Sequence, residues 1–323
     1  MRSALITGIT GQDGSYLADF LLEKGYEVHG VLRPSSAGRY SRIAHLVGNE
    51  TVCNKRLFLH PGDLTDPAAM RRILFETSPD EFYHLAGQSH PGLSFALVES
   101  TCQVNGFGMV HLLEILRDLP KKPRLFHASS SEIFGRPETM PQDEQTPFRP
   151  ATPYGCAKAF ATQMASIYRQ NFGLFISNGI LFNHESPRRG EGFVTQKICR
   201  AAAAIKEGRQ SELTLGNLSG QRDWGDARDF IRGYWLSLQH ENPEDFVFAT
   251  GELHSVQDLL EAAFGAVGLD WRTCVKHDPK LLRQDEPARP VGNPAKAARL
   301  LGWRPTTKFG QLVAEMTRAG AIV

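Results

Sequence analysis

Short apolar runs alternate with amphipathic helical patterns through the first half of the chain. The runs predict β-strands at 4–7, 27–32, 57–60, 81–85, 124–129 and 175–181, and the patterns between them predict helices near 14–25, 68–77, 96–118 and 153–171. Strands that alternate with helices in this way are typical of a parallel sheet. We therefore predict an α/β fold, a Rossmann-type doubly wound parallel sheet.

The alternation breaks after residue 181. A polar, turn-rich segment at 183–192 precedes a helical pattern at 193–206, a strand-like run at 246–249 returns to the sheet, and short helices with proline-rich links follow. This predicts a Rossmann domain of residues 1–182 plus about 215–250, and a smaller C-terminal substrate lobe of about 183–214 plus 251–323. The apolar helices at 96–118 and 153–171 fit either burial within one chain or packing against a second subunit.

Composition and charge exclude several classes of function. The 323 residues include 36 Lys and Arg against 35 Asp and Glu, a net charge of +1. Because no global basic field exists, we expect neither a nucleic-acid nor a membrane partner. The five cysteines are far apart and form no CxxC pair, which argues against a disulfide framework or a structural zinc site, and we expect no metal.

The first strand begins too near Met1 for a signal peptide, and no apolar run approaches the ~20 residues of a transmembrane helix, so we expect a cytoplasmic enzyme.

A glycine-rich turn lies between the first predicted strand and the first predicted helix. Its residues are Gly8, Ile9, Thr10, Gly11, Gln12, Asp13 and Gly14, a GxxGxxG pattern. Glycine lets the backbone approach a pyrophosphate closely, and a helix N-terminus supplies partial positive charge. Chance matches are common in a chain with 30 glycines, but the strand–turn–helix context favours a dinucleotide site over a structural turn.

The end of the second predicted strand indicates which dinucleotide binds. NAD-binding versions of the motif usually place an acidic residue there, which holds the ribose 2′-hydroxyl. This strand ends in Arg33, and Arg39 and Arg42 follow in a serine-rich loop. A guanidinium suits a 2′-phosphate, so we predict NADP; a solvated arginine is the alternative. Asp63, after the third strand, is placed to accept a hydrogen bond from the adenine amino group.

Tyr154 and Lys158 form a YxxxK motif at the start of a predicted helix. A spacing of four residues places both side chains on one helix face. The pKa of free tyrosine is about 10, and we expect an adjacent ammonium to lower it so that the phenol acts as a base. YxxxK alone is weak, but together with the glycine motif it is a strong catalytic candidate.

Ser130 and Glu132 follow the strand predicted at 124–129. The carboxyl ends of parallel strands border the ligand crevice, so the Ser130 hydroxyl can bond a sugar or alcohol oxygen beside Tyr154. Hydride transfer alone needs no carboxylate there, and we therefore predict that Glu132 is a second acid/base. A solvated turn glutamate is the alternative.

These motifs resemble those of the extended short-chain dehydrogenase/reductases and, more narrowly, of the GDP-mannose 4,6-dehydratase family. The resemblance covers nearly the whole chain and rests on the runs 6–16, 88–90, 128–132, 179–190 and 222–225. The run Asn-His-Glu-Ser-Pro-Arg-Arg-Gly at 183–190 is highly specific.

The resemblance implies a hydro-lyase that converts a GDP-mannose-type substrate to a GDP-4-keto-6-deoxy sugar by an internal NADP redox cycle, in a homodimer or homotetramer. It implies catalytic roles for Ser130, Glu132, Tyr154 and Lys158. It implies cofactor contacts for Gly8, Thr10, Gly11, Gln12, Asp13, Gly14, Arg33, Asp63, Leu64, Leu85, Ala86, Gly87, Gln88, Ser89, Tyr154, Lys158, His184 and Arg189. It implies substrate contacts for Ser94, Ser130, Asn183, Lys197, Arg222, Arg283 and Glu286.

The chain also departs from the family pattern. Pro34 stands where the family has Arg, Ser100 where it has Tyr, Ser130 where it has Thr, and Pro91-Gly92 where it has Val-Lys. The first two changes remove cofactor contacts. Pro91-Gly92 and Ser130 alter the expected sugar pocket, so GDP-manno-heptose is an alternative natural substrate to GDP-mannose.

Two rival functions share part of this pattern. A nucleotide-sugar 4-epimerase or ketoreductase of the same superfamily needs Tyr154 and Lys158 but does not require Glu132. A non-catalytic NADP-binding sensor has no reason to keep either the tyrosine or the lysine.

Overall fold

Seven parallel strands form the central sheet of the computed structural model, which describes residues 1–33, 40–279 and 290–320. The strands are β1 (Ser3–Thr7), β2 (Glu27–Leu32), β3 (Leu57–Pro61), β4 (Glu81–His84), β5 (Arg124–Ala128), β6 (Ile176–Leu181) and β11 (Phe246–Phe248). Their order is β3-β2-β1-β4-β5-β6-β11, and all neighbouring pairs are parallel. The strand order reverses at β1: β2 and β3 lie on one side of it, and β4, β5, β6 and β11 lie on the other. In sheets of this kind, ligands bind beside such a switch point, at the carboxyl ends of the strands. The predicted fold class is confirmed.

Two-stranded ladders lie outside the main sheet. They pair β7 (Asn183–Glu185) with β10 (Trp224–Asp226), β9 (Gln221–Arg222) with β12 (His254–Ser255), and β8 (Leu213–Leu215) with β13 (Val275–His277). The polar segment predicted at 183–192 therefore begins with a strand. Its polar residues form a strand because a distant segment of backbone, β10, supplies the partner.

Helices cover both faces of the main sheet. They are α1 (Gln12–Glu23), α2 (Ala44–Val47), α3 (Pro67–Thr77), α4 (Pro91–Ser94), α5 (Val98–Cys102), α6 (Gly108–Asp118), α7 (Pro153–Phe172), α8 (Val194–Lys206), α9 (Ala227–Gln239), α10 (Val256–Gly265), α11 (Ala295–Leu301) and α12 (Phe309–Ala319). The helix predicted near 96–118 is present over 98–118, where α5 continues through the π-helical turn Gln103–Phe107 into α6. Among the described helices, none has the length and apolar character needed to cross a bilayer.

Apolar residues from the two faces of the sheet enter separate cores. Phe82 and Tyr83 are neighbours in β4 and point to opposite faces, as alternation along a strand requires. Tyr83 packs in the core with α1 and α9, whereas Phe82 packs in the core with α3, α6 and α7.

A further apolar cluster lies outside the sheet and joins α8, α10 and α12. Ala297 and Trp303, near the C-terminus, pack instead in the core with α1 and α9. The domain limits given by the sequence stay a prediction.

Candidate active site

A cleft of about 680 Å³ opens at the carboxyl ends of β1, β4, β5 and β6. The predicted site residues that line it are Gly8, Thr10, Gly11, Gln12, Asp13, Gly14, Arg33, Asp63, Leu64, Leu85, Ala86, Gly87, Gln88, Ser89, Ser130, Glu132, Tyr154, Lys158, Asn183, His184 and Arg189. The fold therefore brings the predicted cofactor residues and the predicted catalytic residues into one cleft.

The glycine-rich turn leaves no room for a side chain at Gly8 or Gly14. Gly8 has a φ of +78°, which strains any residue with a side chain, and the Gly11 amide donates to the Gly8 carbonyl at 2.9 Å. A Cβ on Gly14 would lie 2.2 Å from the Gly8 carbonyl oxygen. The turn is thus a bare backbone cradle before the N-terminus of α1, which suits a pyrophosphate.

Asp13 forms a buried charge network beside this cradle. Its carboxylate lies 2.8 Å from His184 Nε2 and accepts a hydrogen bond from the Tyr234 hydroxyl at 2.9 Å. His184 Nδ1 donates to the Phe182 carbonyl at 2.7 Å. Because both acceptors lack protons when Asp13 is ionised, His184 donates from both nitrogens and is an imidazolium.

Charge and burial act in opposite directions on this pair. Burial raises the pKa of Asp13, but the His184 charge and hydrogen bonds outweigh it and lower that pKa to about 2. Burial lowers the pKa of His184, but Asp13 outweighs it and raises that pKa above its ordinary value. Both shifts favour the charged form of the pair.

Tyr154 is a buried, protonated phenol in this structure. Burial raises its pKa to about 12; a hydrogen bond with Ser130 opposes the rise and the Glu132 charge adds to it. Lys158 Nζ donates to the Ala128 carbonyl at 2.8 Å. The expectation that the Lys158 ammonium lowers the Tyr154 pKa is therefore wrong here, because desolvation dominates and no effect of Lys158 on the phenol is resolved.

The Lys158 ammonium is held in a neutral, buried environment. Burial lowers its pKa to about 8. His84 and His127 are fully buried next to it, and burial together with the ammonium keeps the pKa of His84 at about 3 and that of His127 well below its usual range. Both imidazoles are therefore neutral, and they add no charge that would compete with a ligand for Lys158.

Ser130 and Glu132 reach the cleft through a tight turn after β5. The Ser130 hydroxyl accepts a hydrogen bond from the Glu132 amide at 3.2 Å and caps the short 3₁₀ turn Ser131–Ile133. The next helix approaches without a gap, because a Cβ on Gly155 would lie 2.5 Å from the Glu132 carbonyl. Backbone contact thus fixes the spacing between Glu132 and Tyr154.

Asn105 is a structural support that the sequence analysis missed. It lies in the π-helical turn, where its side chain accepts from the Gln88 amide and donates to the Gln88 carbonyl, each at 2.9 Å. Asn105-Gly106 inside an apolar helical pattern was the available signal, because both residues disfavour a helix interior. Tyr234 was also missed, and nothing local in its helix points to Asp13.

Several predicted substrate residues lie elsewhere. Ser94, Lys197 and Arg222 are not among the described residues that line the cleft. Ser94 is buried and donates to the Pro91 carbonyl at 2.6 Å, whereas Lys197 donates to the Thr214 carbonyl at 3.0 Å. Arg283, Glu286, Pro34 and Arg39 lie outside the described residues.

The strand order, the glycine cradle and a YxxxK helix in one cleft define the class, an extended short-chain dehydrogenase/reductase. Solved structures of that class share the fold. DesIV, a dTDP-glucose 4,6-dehydratase from Streptomyces venezuelae, aligns with a TM-score of 0.86 at 24% identity over 98% of this chain and 96% of that one. The UDP-glucose 4-epimerase of Thermus thermophilus aligns with a TM-score of 0.83 at 24% identity over 98% of each chain.

Sequence comparison gives the family within that class. The GDP-mannose 4,6 dehydratase family model matches residues 5–316. GDP-mannose 4,6 dehydratase 1 of Arabidopsis thaliana is 48% identical over 320 residues, 98% of this chain and 88% of the relative. GDP-mannose 4,6 dehydratase of Homo sapiens is 45% identical over 336 residues, 98% of this chain and 90% of the relative. The chain belongs to the GDP-mannose 4,6-dehydratase family.

Proposed function

We propose that this protein is a GDP-mannose 4,6-dehydratase that forms a GDP-4-keto-6-deoxy sugar. Family membership supports the reaction, and the presence of Glu132 beside Tyr154 in one cleft is the observation that carries it. An epimerase or a ketoreductase needs the tyrosine but has no use for a second acid/base at this position.

The residues fit a nicotinamide cofactor, which accepts a hydride from C4 of the sugar and returns it to C6. The glycine cradle suits its pyrophosphate, and the buried Lys158 ammonium suits the nicotinamide ribose. The fold relatives RMD from Pseudomonas aeruginosa and DesIV are complexed with NADPH and NAD, respectively.

The remaining steps belong to side chains of this chain. In its phenolate form Tyr154 takes the O4 proton, and Ser130 holds O4 through its hydroxyl. Oxidation at C4 acidifies the C5–H bond, so Glu132 can remove that proton and then protonate the departing C6 hydroxyl. As C6 is reduced, C5 regains a proton, which balances the one that Tyr154 took from O4. The Ser130 hydrogen bond and the Arg189 charge favour the phenolate form of Tyr154.

Mass spectrometry of GDP-mannose incubated with the protein tests this function. Dehydration lowers the mass of the nucleotide sugar by one water molecule. An unchanged mass with an altered sugar configuration would identify an epimerase, and binding without any conversion would identify a sensor.

We infer that NADP is preferred over NAD because cations converge at one end of the cleft. Arg42 donates to the Arg188 carbonyl at 2.7 Å and to the Thr10 carbonyl at 3.2 Å. Burial lowers the pKa of Arg42, and the charges of Arg189, Arg188 and Arg200 lower it further. A 2′-phosphate bound there relieves this repulsion.

Titration with both dinucleotides tests the cofactor. We expect NADP to bind more tightly, and Arg42→Ala to remove most of the difference. The exposed Arg71, paired with Asp118 far from the cleft, supplies the control Arg71→Ala. Equal affinity of the wild type for NAD and NADP contradicts the proposal.

Lys197 and Arg222 remain proposed contacts of the GDP moiety, with Asn183 in the cleft. Arg222→Ala should weaken binding of the nucleotide sugar by about 1.5–3 kcal/mol, the usual value of a charge-assisted contact. Calorimetric titration with GDP measures this directly, and unchanged affinity places the contact elsewhere.

The identity of the natural sugar, GDP-mannose or GDP-manno-heptose, is a further question to test. Pro91 begins α4 at the cleft and Ser130 lies in the same lining, so the departures from the family pattern border the site. A methylene changes discrimination by only about 1–3 kcal/mol, so a few deleted atoms can alter preference. Comparing kcat/KM for GDP-mannose and GDP-manno-heptose decides between them.

We also propose that the protein forms a homodimer or a larger homo-oligomer through α7 and the π-helical turn. Phe107, Phe160, Ile167 and Phe172 are large apolar residues that remain exposed there. The Phe107 and Phe160 rings lie 6.0 Å apart, so they form one patch. Such a patch is typical of a protein interface, and the two-helix surface suits a second copy.

A further inference from the structure

Two rims of the cleft face each other near Tyr154 and Glu132. The inner rim is segment 88–91, which follows β4 and contributes Gln88, Ser89 and Pro91 to the lining. The outer rim is segment 189–193, which precedes α8 and contributes Arg189 and Phe193.

His90 spans the gap between these rims. Its Nε2 lies 3.3 Å from the Gly192 carbonyl, and because a carbonyl only accepts, Nε2 carries the proton. Its Nδ1 accepts from the Leu93 amide at 3.2 Å, which caps α4. One neutral tautomer therefore serves both contacts.

The His90 ring also supports two lining residues of the outer rim. It packs against the Phe193 ring with the centroids 5.4 Å apart. The Arg189 guanidinium lies 3.6 Å from the Phe193 centroid, and its Nε is 3.0 Å from the buried Glu185 carboxylate. His90 is thus linked through the Phe193 ring to Arg189, which lines the cleft.

The two rims differ in how firmly they are held. Gln88 accepts from the His90 amide at 2.8 Å and donates to the His90 carbonyl at 2.9 Å, and Asn105 in turn fixes Gln88. The outer rim contains Gly190 and Gly192, which add backbone freedom. Its backbone bonds are local: the Arg189 amide donates to the Ser186 carbonyl at 2.9 Å, and the Phe193 amide to the Gly190 carbonyl at 3.2 Å. The inner rim therefore restrains the outer rim through His90.

We propose that His90 is a positioning residue for the reaction: through its bond to Gly192 it fixes the outer rim, and with it Phe193, at the edge of the cleft that the sugar nucleotide would occupy. This inference rests on the proposed function. It assigns His90 a role across the cleft, beyond the local cap of α4.

Two substitutions separate the bridge from the cap. His90→Gln places an amide N–H near the position of Nε2 and keeps the bridge to Gly192. His90→Asn places a carbonyl near the position of Nδ1 and keeps only the cap. We expect His90→Asn to raise the KM for GDP-mannose about 3- to 10-fold, as loss of one hydrogen bond implies, and His90→Gln to stay within about twofold of wild type. His240, which is partly exposed and does not line the cleft, supplies the control His240→Asn.

Amide hydrogen exchange of residues 190–193 gives a readout that needs no turnover. Exchange should be faster in His90→Asn than in wild type and in His90→Gln. Unchanged KM and exchange in His90→Asn overturn the proposal, and so does a larger defect in His90→Gln than in His90→Asn. If wild type does not dehydrate GDP-mannose, the proposed function fails, while the exchange experiment still decides whether His90 restrains the outer rim.

Discussion

At the scale of single residues, the active site depends on groups whose charge is set by burial and by a few partners. Asp13 and His184 remain charged because each stabilises the other, whereas Lys158 lies among neutral groups. Tyr154 remains a phenol because burial outweighs its hydrogen bond with Ser130. Each of these states can be tested by substitution.

Tyr154→Phe should lower kcat by a factor on the order of 10²–10⁴, the usual contribution of a positioned acid/base. Glu132→Gln should spare oxidation at C4 and stall elimination, because the C5 proton then has no acceptor. Single-turnover absorbance of the reduced cofactor separates the two steps. Tyr168→Phe, on the same helix outside the cleft, is the control, and near-normal dehydration by Glu132→Gln contradicts the role of that residue.

The loss of stability caused by His184→Gln should depend on pH in a defined window. Because Asp13 raises the folded pKa of His184, its pairing stabilises the fold fully below the unfolded pKa of about 6.5 and is lost as pH rises through the folded value. The Asp13 contribution is present above its unfolded pKa and is lost as pH falls toward about 2.

The free energy of unfolding, measured without cofactor, should therefore differ most between wild type and His184→Gln from about pH 4 to about pH 6.5. The difference should shrink at higher pH. A difference that is constant with pH contradicts the charged state of the pair. His240→Gln, at a partly exposed histidine, controls for the loss of an imidazole elsewhere in the fold.

At the scale of elements, the π-helical turn between α5 and α6 positions a side chain that supports the loop after β4. The π-helical turn carries Asn105 inward, where it satisfies both backbone groups of Gln88. A regular helix through this segment would move that side chain relative to the loop after β4. The irregularity therefore fixes the inner rim of the cleft.

Asn105→Ala should destabilise the protein by about 1–3 kcal/mol, because it leaves a backbone amide and a backbone carbonyl of Gln88 without their partner. Dinucleotide affinity should fall as well, since Gly87 to Ser89 line the cleft. Urea unfolding and cofactor titration measure the two effects. Asn171→Ala, at the exposed end of α7, should change neither, and equal values for both variants contradict the role of the turn.

At the scale of the whole molecule, the central sheet is parallel and has helices on both faces. The strands that contribute to the site therefore all end at the same edge of the sheet. The apolar patch that includes Phe107 and Phe160 stays partly exposed in the described chain, since these two residues are 49% and 43% exposed. Association of two copies would bury it.

Phe160→Glu should weaken self-association, because a carboxylate placed in an apolar interface is costly to desolvate. Light scattering coupled to gel filtration should show a smaller species than wild type. Phe75→Glu is the matched control, since Phe75 and Phe160 are each 43% exposed and Phe75 lies on α3. A monomeric wild type, or no change in Phe160→Glu, contradicts the proposed interface.

The sequence by itself determined the features that depend on neighbouring residues. Strand and helix periodicity, the Gly8–Gly14 turn and the Tyr154–Lys158 spacing are local patterns, so the sheet, the cradle and the catalytic helix could be predicted. The family resemblance added His184 and Arg189, which no local pattern indicates.

Only the tertiary structure decided the features that depend on residues far apart in the chain. Asp13 meets His184 and Tyr234 across separations of 171 and 221 residues, and β7 forms because β10 pairs with it. The pKa of Tyr154 was mispredicted for the same reason: motif spacing gives the distance to Lys158 along the helix, but desolvation by the surrounding fold sets the charge of the phenol.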